Sequence, residues 1–319
     1  MRRPSSKSSK PLVVALTLLL ASLLAPRQAA AQACCAGSGA VTPGRLAMHE
    51  DALVALQARA AHVFGQFDGY GRYATPRSGD SEQDFEQAVI GALRLPGVAS
   101  RGQLALLVPL VETRRSARGL SESGGGLGDV NFSARYDFLY AGQNRYLPGV
   151  AVLAGLTFPT GRPPEDAGRP LATAATGIGA FQGNVGLSAE QLFGSFLVTA
   201  YGIVAKRTAR TVENGSGPPI STTLGTQWTA LVAVAYSLPK DCAVAVSASY
   251  TGEGNAEVGG VESARSSRRI PILGVSGVVP LSDHFRVQGG FSGNPPVVDL
   301  GKNQTATLAF SITGLYAWY

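Results

Sequence analysis

The chain has 319 residues, with 27 lysines and arginines against 21 acidic residues, only 15% charged residues and 40 glycines. Five of the basic residues and no acidic one fall in residues 1–31, so the rest carries 22 basic against 21 acidic and gives no electrostatic reason to bind nucleic acid. Beyond Ala25 no apolar run reaches the length of about 18 residues that a spanning helix needs, so this apolar, glycine-rich chain is either an all-β soluble protein or a barrel that crosses a membrane with strands.

At the N-terminus, Arg2, Arg3, Lys7 and Lys10 precede the apolar run Leu12 to Ala25. Small residues follow, with an A-x-A cleavage pattern at Ala29-Ala30-Ala31 or Ala31-Gln32-Ala33. This is the layout of a secretory signal peptide over residues 1–31. Cys34 and Cys35 raise the alternative of a lipidated cysteine, against which stand Gln32 and the spacer Pro26-Arg27-Gln28. Residues 32–53 then read as a periplasmic N-terminal segment, and 54–319 as the β-domain.

Twelve strands are expected in chain order, near 54–67, 85–95, 102–113, 129–140, 149–158, 179–192, 196–206, 223–238, 242–251, 269–279, 284–291 and 305–319. The clearest is the fourth. From Asp129 onward, Asp129, Asn131, Ser133, Arg135 and Asp137 share one parity, and Val130, Phe132, Ala134, Tyr136 and Phe138 share the other. Strand side chains alternate between two faces, so this strand has one wet face and one oily face. The third is apolar at both parities, and Pro109 inside it fits only an edge or a bulge.

The connections between these strands alternate between long and short. Residues 68–84, 114–128, 159–178, 207–222, 252–268 and 292–304 are long, whereas "PGVASR", "AGQNRYLP", "FGS", "PKD" and "PLSD" are short. Outer-membrane barrels have this rhythm, with short periplasmic turns and longer extracellular loops. Volume settles the face. About eight strands already make a barrel that side chains just fill, and here an inward oily face of valine, alanine and glycine is too small to fill twelve. Turning that face outward lets lipid cover it, while closure satisfies every ladder hydrogen bond, as hydrocarbon requires. Tyr136, Phe138, Tyr140, Phe158, Tyr236, Tyr250, Tyr316 and Trp318 lie at strand ends, where an interfacial girdle belongs. The expected fold is a closed antiparallel transmembrane β-barrel of about twelve strands.

The stretch "GLGDVNFSARYDFL", followed by "LPGVAVLAGLTFPTG", resembles the signature of a bacterial outer-membrane family labelled for a MetA pathway of phenol degradation, or as outer-membrane transporters. Gly126, Gly128, Asp129, Arg135, Tyr136 and Phe138 carry the first part, and Pro159, Thr160 and Gly161 the second. The resemblance implies a barrel that takes up small, often hydrophobic molecules. One departure is the C-terminus. Barrels of this kind commonly end in an aromatic residue in phase with the apolar face, which the insertion machinery reads. Here the apolar parity ends at Trp318, and Tyr319 lies one step out of phase.

Catalytic constellations are absent. His49, His62 and His284 are the only histidines; His62 has no nearby serine and asparagine arranged as in an outer-membrane lipid hydrolase, His284 sits at a short turn, and no G-x-S-x-G elbow occurs. "GGGLGD" and "TGIGAFQGN" complete neither phosphate-binding pattern, and no cysteine or histidine spacing suits a metal, so no cofactor is expected. Cys242 follows a short turn on the expected periplasmic side, where oxidation is favoured. Cys34 or Cys35 can pair with it there, or all three remain free. The residues singled out for function are the inward charges and amides Arg59, Glu86, Arg94, Asp129, Asn131, Arg135, Asp137 and Glu190. Near the bilayer midplane an arginine facing lipid costs about 2–4 kcal/mol. These side chains either form a charge-selective constriction or pair with one another and brace the wall.

The sequence thus describes an outer-membrane channel for passive passage of small, hydrophobic or aromatic solutes, in contact with lipid and the insertion machinery. The alternatives are a structural or adhesive barrel with an occluded lumen, a lipid-active enzyme, and a soluble exported β-protein.

Overall fold

The computed structural model describes residues 44–97, 100–213 and 218–319. The expected signal peptide, Cys34 and Cys35 lie outside the described residues. Twelve long strands follow in chain order: β1 (Ala52–Phe67), β2 (Ser81–Arg94), β3 (Gly102–Ala117), β4 (Val130–Leu139), β5 (Gly149–Phe158) and β6 (Gln182–Phe193), then β7 (Phe196–Arg207), β8 (Gln227–Ser237), β9 (Ala243–Glu253), β10 (Arg268–Pro280), β11 (Phe285–Gly293) and β12 (Gln304–Trp318). Each pairs antiparallel with its chain neighbours. β12 closes on β1, from Ala52 opposite Trp318 to Phe67 opposite Gln304. The result is a closed barrel without edges, with all twelve expected strands present.

The main departures from expectation concern β2, β3 and the loop after them. β2 begins at Ser81 and β3 runs on to Ala117, both further toward the long-loop end than the apolar pattern suggests. The connection expected as loop instead contains a strand, Leu120–Leu127, folded back onto the end of β3. Pro109 lies where the partner of β3 changes, because β4 pairs only as far as Leu107 and the Leu120–Leu127 arm takes over at Leu110. Its carbonyl accepts the Gly128 N–H at 2.9 Å. A strand residue's nitrogen and carbonyl point to the same neighbour, so the missing N–H falls at this break and costs no ladder bond.

The outward face is apolar and exposed, including Val54, Leu56, Val89, Leu106, Leu156, Val185, Val232 and Val246. In β4 it consists of Phe132, Tyr136 and Phe138, with Arg135 and Asp137 buried on the other face. Aromatic pairs mark both rims: Tyr136–Phe138, Phe196–Tyr236 and Tyr316–Trp318 at the short-turn end, Trp228–Tyr250 and Phe291–Phe310 at the other. Among the described residues no helix is long and apolar enough to span a bilayer. The strands do the crossing. Beyond the barrel, Arg210–Val212, Ile220–Thr223, Glu257–Val258 and Val261–Glu262 form a separate four-stranded sheet from the long loops.

The inner face is less uniformly polar than the sequence suggests. Alanines such as Ala88, Ala151, Ala205 and Ala235 line much of it. One wall carries an apolar cluster of Leu153, Tyr201, Leu231 and Ala233, with Ile203 against it. At the short-turn end, Leu53, Ala55, Ile90, Ala92, Ala105 and Ala317 surround Leu46, which comes from outside the barrel strands.

Candidate functional site

Residues 44–51 do not hang below the barrel. They cross its periplasmic mouth. Their partners lie on β2, β3, β6 and β11, which are spread around the circumference, so only a segment inside the lumen can reach them all. A buried leucine is worth about 1.5–3 kcal/mol, and the apolar cluster supplies that for Leu46, whose N–H donates to Gln103 Oε1 at 3.1 Å. Backbone atoms of the segment are held from the wall by Arg94, which donates from Nε to the Glu50 carbonyl at 2.8 Å and from Nη2 to the Ala47 carbonyl at 2.5 Å.

Two charged clusters fix the segment on opposite sides. On one, Arg45 pairs with Glu190 of β6. Arg135 of β4 approaches Asp137 Oδ1 with Nε at 2.9 Å and Nη2 at 2.7 Å, and Glu190 Oε1 with Nη2 at 3.3 Å. On the other, the fully buried Glu50 pairs with Arg286 of β11, Nη2 to Oε2 at 3.2 Å. Glu50 Oε2 also accepts the Ala47 N–H at 2.7 Å, which closes a turn within the segment. A carboxylate and a guanidinium so deeply buried are tolerable only in such pairs.

Tyr319, the out-of-phase terminal residue, completes this mouth. Trp318 remains on the outer face, while the Tyr319 ring stacks on His49 of the segment at 5.0 Å and packs on His284 at 5.2 Å. Its hydroxyl donates to the Asp283 carbonyl. Burial pushes that hydroxyl above the usual tyrosine range, and the nearby Glu50 carboxylate adds to the effect.

Higher in the barrel the charges belong to the wall itself. Arg59 and Glu86 pair across β1 and β2 at 3.8 Å, with side chains 35% and 34% exposed, so they face open space. Six strands away around the barrel, β7 and β8 present Tyr201, Ile203 and Leu231. Within that apolar wall the Tyr201 and Ser188 hydroxyls, cross-strand neighbours, are buried and make no hydrogen bond among the described residues. Near the extracellular rim, Arg207 pairs with Glu253 at 2.9 Å and is flanked by the Gln182 and Gln227 amides at 2.8 and 2.7 Å.

The residues singled out from the sequence therefore separate into four settings. Arg135, Asp137, Glu190 and Arg94 meet at the periplasmic mouth, and Arg59 with Glu86 faces the lumen. Asn131 donates to Thr157 across β4 and β5 at 3.0 Å, away from both clusters. Asp129 differs most from the reading that puts it in a constriction. It precedes β4, and its carboxylate accepts the backbone N–H groups of Gly161 at 2.9 Å and Ile178 at 2.7 Å. Thr160 Oγ1 donates to the Gly128 carbonyl at 2.7 Å and accepts the Val130 N–H at 3.0 Å. Glycine is required here by close approach, since a Cβ on Gly161 would lie 2.7 Å from the Gly177 Cα. The G-x-G-D and P-T-G elements thus lock one loop base. Cys242 is half-buried with Sγ 3.7 Å from the Lys240 carbonyl.

Sequence reasoning missed Arg45, Glu50, Gln103, Arg207, Glu253 and Arg286. The inward parity of β3, β7, β9 and β11 could have found Gln103, Arg207, Glu253 and Arg286. Arg45 and Glu50 lie in no periodic pattern and give no such signal.

No curated protein matches the chain in sequence. Among solved structures, the COG4313 outer membrane channel from Pseudomonas putida F1 superposes with a TM-score of 0.72 at 12% identity, over 87% of this chain and all of that one. The transport unit of the autotransporter AIDA-I from Escherichia coli gives 0.48 at 6% identity, over 90% of this chain and 96% of that one. At 12% identity the first establishes a shared fold, that of an outer-membrane barrel. Residues 94–298 match the family described as "Putative MetA-pathway of phenol degradation", and the chain belongs to that family.

Proposed function

We propose that the protein is an outer-membrane channel for passive passage of small solutes, and no enzyme. The observation that carries this reading is the closed barrel whose inner face, above the mouth, carries the half-exposed Arg59–Glu86 pair. Such a passage suits small solutes with a polar group that can meet the half-exposed pair, within an inner face otherwise lined largely by alanine. The family's description points to phenol degradation and the Pseudomonas relative is an outer membrane channel, both consistent with small, partly aromatic solutes. Residues 1–31 act as the export signal, and the insertion machinery and lipid are the remaining partners.

Single-channel recording in a planar bilayer tests the reading, with Leu46→Asp included to loosen the mouth. Discrete openings, more frequent in the variant, are expected. Silence of both proteins would leave the second reading, a structural barrel with an occluded lumen, which the segment across the mouth favours.

A further inference from the structure

The segment across the mouth has the chemistry of a ligand. Leu46 fills an apolar pocket made by β1, β2, β3 and β12, and four residues on Glu50 offers a fully buried carboxylate to Arg286. Beside it, Arg94 donates to the segment's carbonyl oxygens at Ala47 and Glu50. We propose that residues 46–50 are a built-in mimic of the solute, and that the periplasmic mouth is a binding site for amphipathic monocarboxylates, which displace the segment and so open the channel. The proposal rests on the channel reading and adds a ligand class and a gating step to it.

The physical argument is one of exchange. If the segment simply left, the buried Arg286 would lose the Glu50 carboxylate, the half-buried Arg94 would keep only its contacts with the Ser100 carbonyl and the Tyr140 hydroxyl, and the pocket would lose its apolar filling, so an empty mouth is disfavoured. A solute with a carboxylate and a short apolar body restores both. Its carboxylate takes the place of Glu50 against Arg286, with Arg94 within reach, and its chain takes the place of Leu46. The exchange conserves charge at Arg286, while on the other side release of Arg45 leaves Arg135 to hold Glu190, so its cost is the difference between two similar ligands plus the loss of that one pair. An uncharged amide of the same shape fills the pocket and offers Arg286 a carbonyl oxygen but no negative charge, so it replaces Glu50 only in part. Tyr319 follows β12 at the short-turn end and stacks on His49 of the segment, so the exchange also breaks this ring contact.

Hexanoate is a suitable probe and hexanamide its uncharged counterpart. With the full-length protein in a planar bilayer, hexanoate should raise open probability about tenfold, and hexanamide should not. Glu50→Gln weakens the internal competitor while Leu46 still fills the pocket, so hexanoate should open this variant at a lower concentration than the parent. Calorimetry on the folded protein in detergent gives a second readout. Hexanoate should bind Glu50→Gln more tightly than the parent, bind Arg286→Lys measurably, and fail to bind Arg286→Gln. Folding of each variant is checked by its faster gel migration before heating. Equal effects of hexanoate and hexanamide, or no tighter binding to Glu50→Gln, overturn the proposal. If neither parent nor Glu50→Gln conducts, the channel reading falls, while the calorimetry still decides the site.

Discussion

The two ends of the lumen both bury arginine–carboxylate pairs, yet the pairs join different things. At the extracellular end the buried Arg207 and Glu253 tie β7 to β9 across β8, and the part-exposed Arg115 ties β3 to Glu82 of β2 at 2.7 Å. These are bonds from wall to wall. At the periplasmic end Arg45–Glu190 and Glu50–Arg286 tie the wall to a segment that is not part of it. A pair within the wall can only stiffen it, whereas a pair to a separate segment decides whether the mouth is filled. Similar chemistry therefore serves shape at one end and access at the other.

That contrast is open to mutation, beginning with the largest effect. Arg135→Met leaves Glu190 and Asp137 buried with too little positive charge, a loss of about 3–5 kcal/mol. It should lower the denaturant midpoint of the folded barrel and also raise open probability, because Glu190 no longer sits correctly for Arg45. Glu253→Gln at the other end should cost less, about 1.5–3 kcal/mol, since the Gln182 and Gln227 amides still hold Arg207. Open probability should not change, and a change would erase the distinction between the two ends. Asp129→Ala removes a carboxylate acceptor from two backbone amides, about 1–3 kcal/mol. It should speed protease cleavage within residues 159–181 at unaltered single-channel conductance, and a changed conductance would return Asp129 to the lumen. Arg59→Ala should have the smallest effect on stability, about 0–1 kcal/mol, because its pair is half-exposed. Its consequence is electrical: the reversal potential in a salt gradient should move toward cation preference.

Much of the fold was legible because a strand's two faces meet different solvents. Val130, Phe132, Tyr136 and Phe138 alternate with Asn131, Arg135 and Asp137 because lipid lies on one side of the sheet and the lumen on the other. The extension of β3 past Thr113 was hidden for the same reason: beyond the membrane Glu112 and Arg114 stand on the outward face and pair with each other at 2.8 Å, so the oily parity ends before the strand does. Pro109 looked like a fault in the strand and proved to be a marker of where its partner changes.

The candidate site was legible only in part. Parity places Arg135 and Glu190 on inward faces, but it cannot say that they converge on Arg45, which is 145 residues from Glu190 in the chain. Asp129 has the parity of its strand, yet loop amides brought in from Gly161 and Ile178 claim its carboxylate. Tyr319 breaks phase because it packs under a segment that has no periodicity of its own.

By itself the sequence determined the approximate run and number of the membrane-crossing strands, the face turned to lipid and the alternation of long and short connections. All of these follow from local alternation and from the need to satisfy backbone hydrogen bonds in hydrocarbon. Only the tertiary structure decided which inward charges meet and what fills the mouth. Those depend on closure of β12 onto β1, which brings the residues just before the first strand into the same enclosed space as β6 and β11.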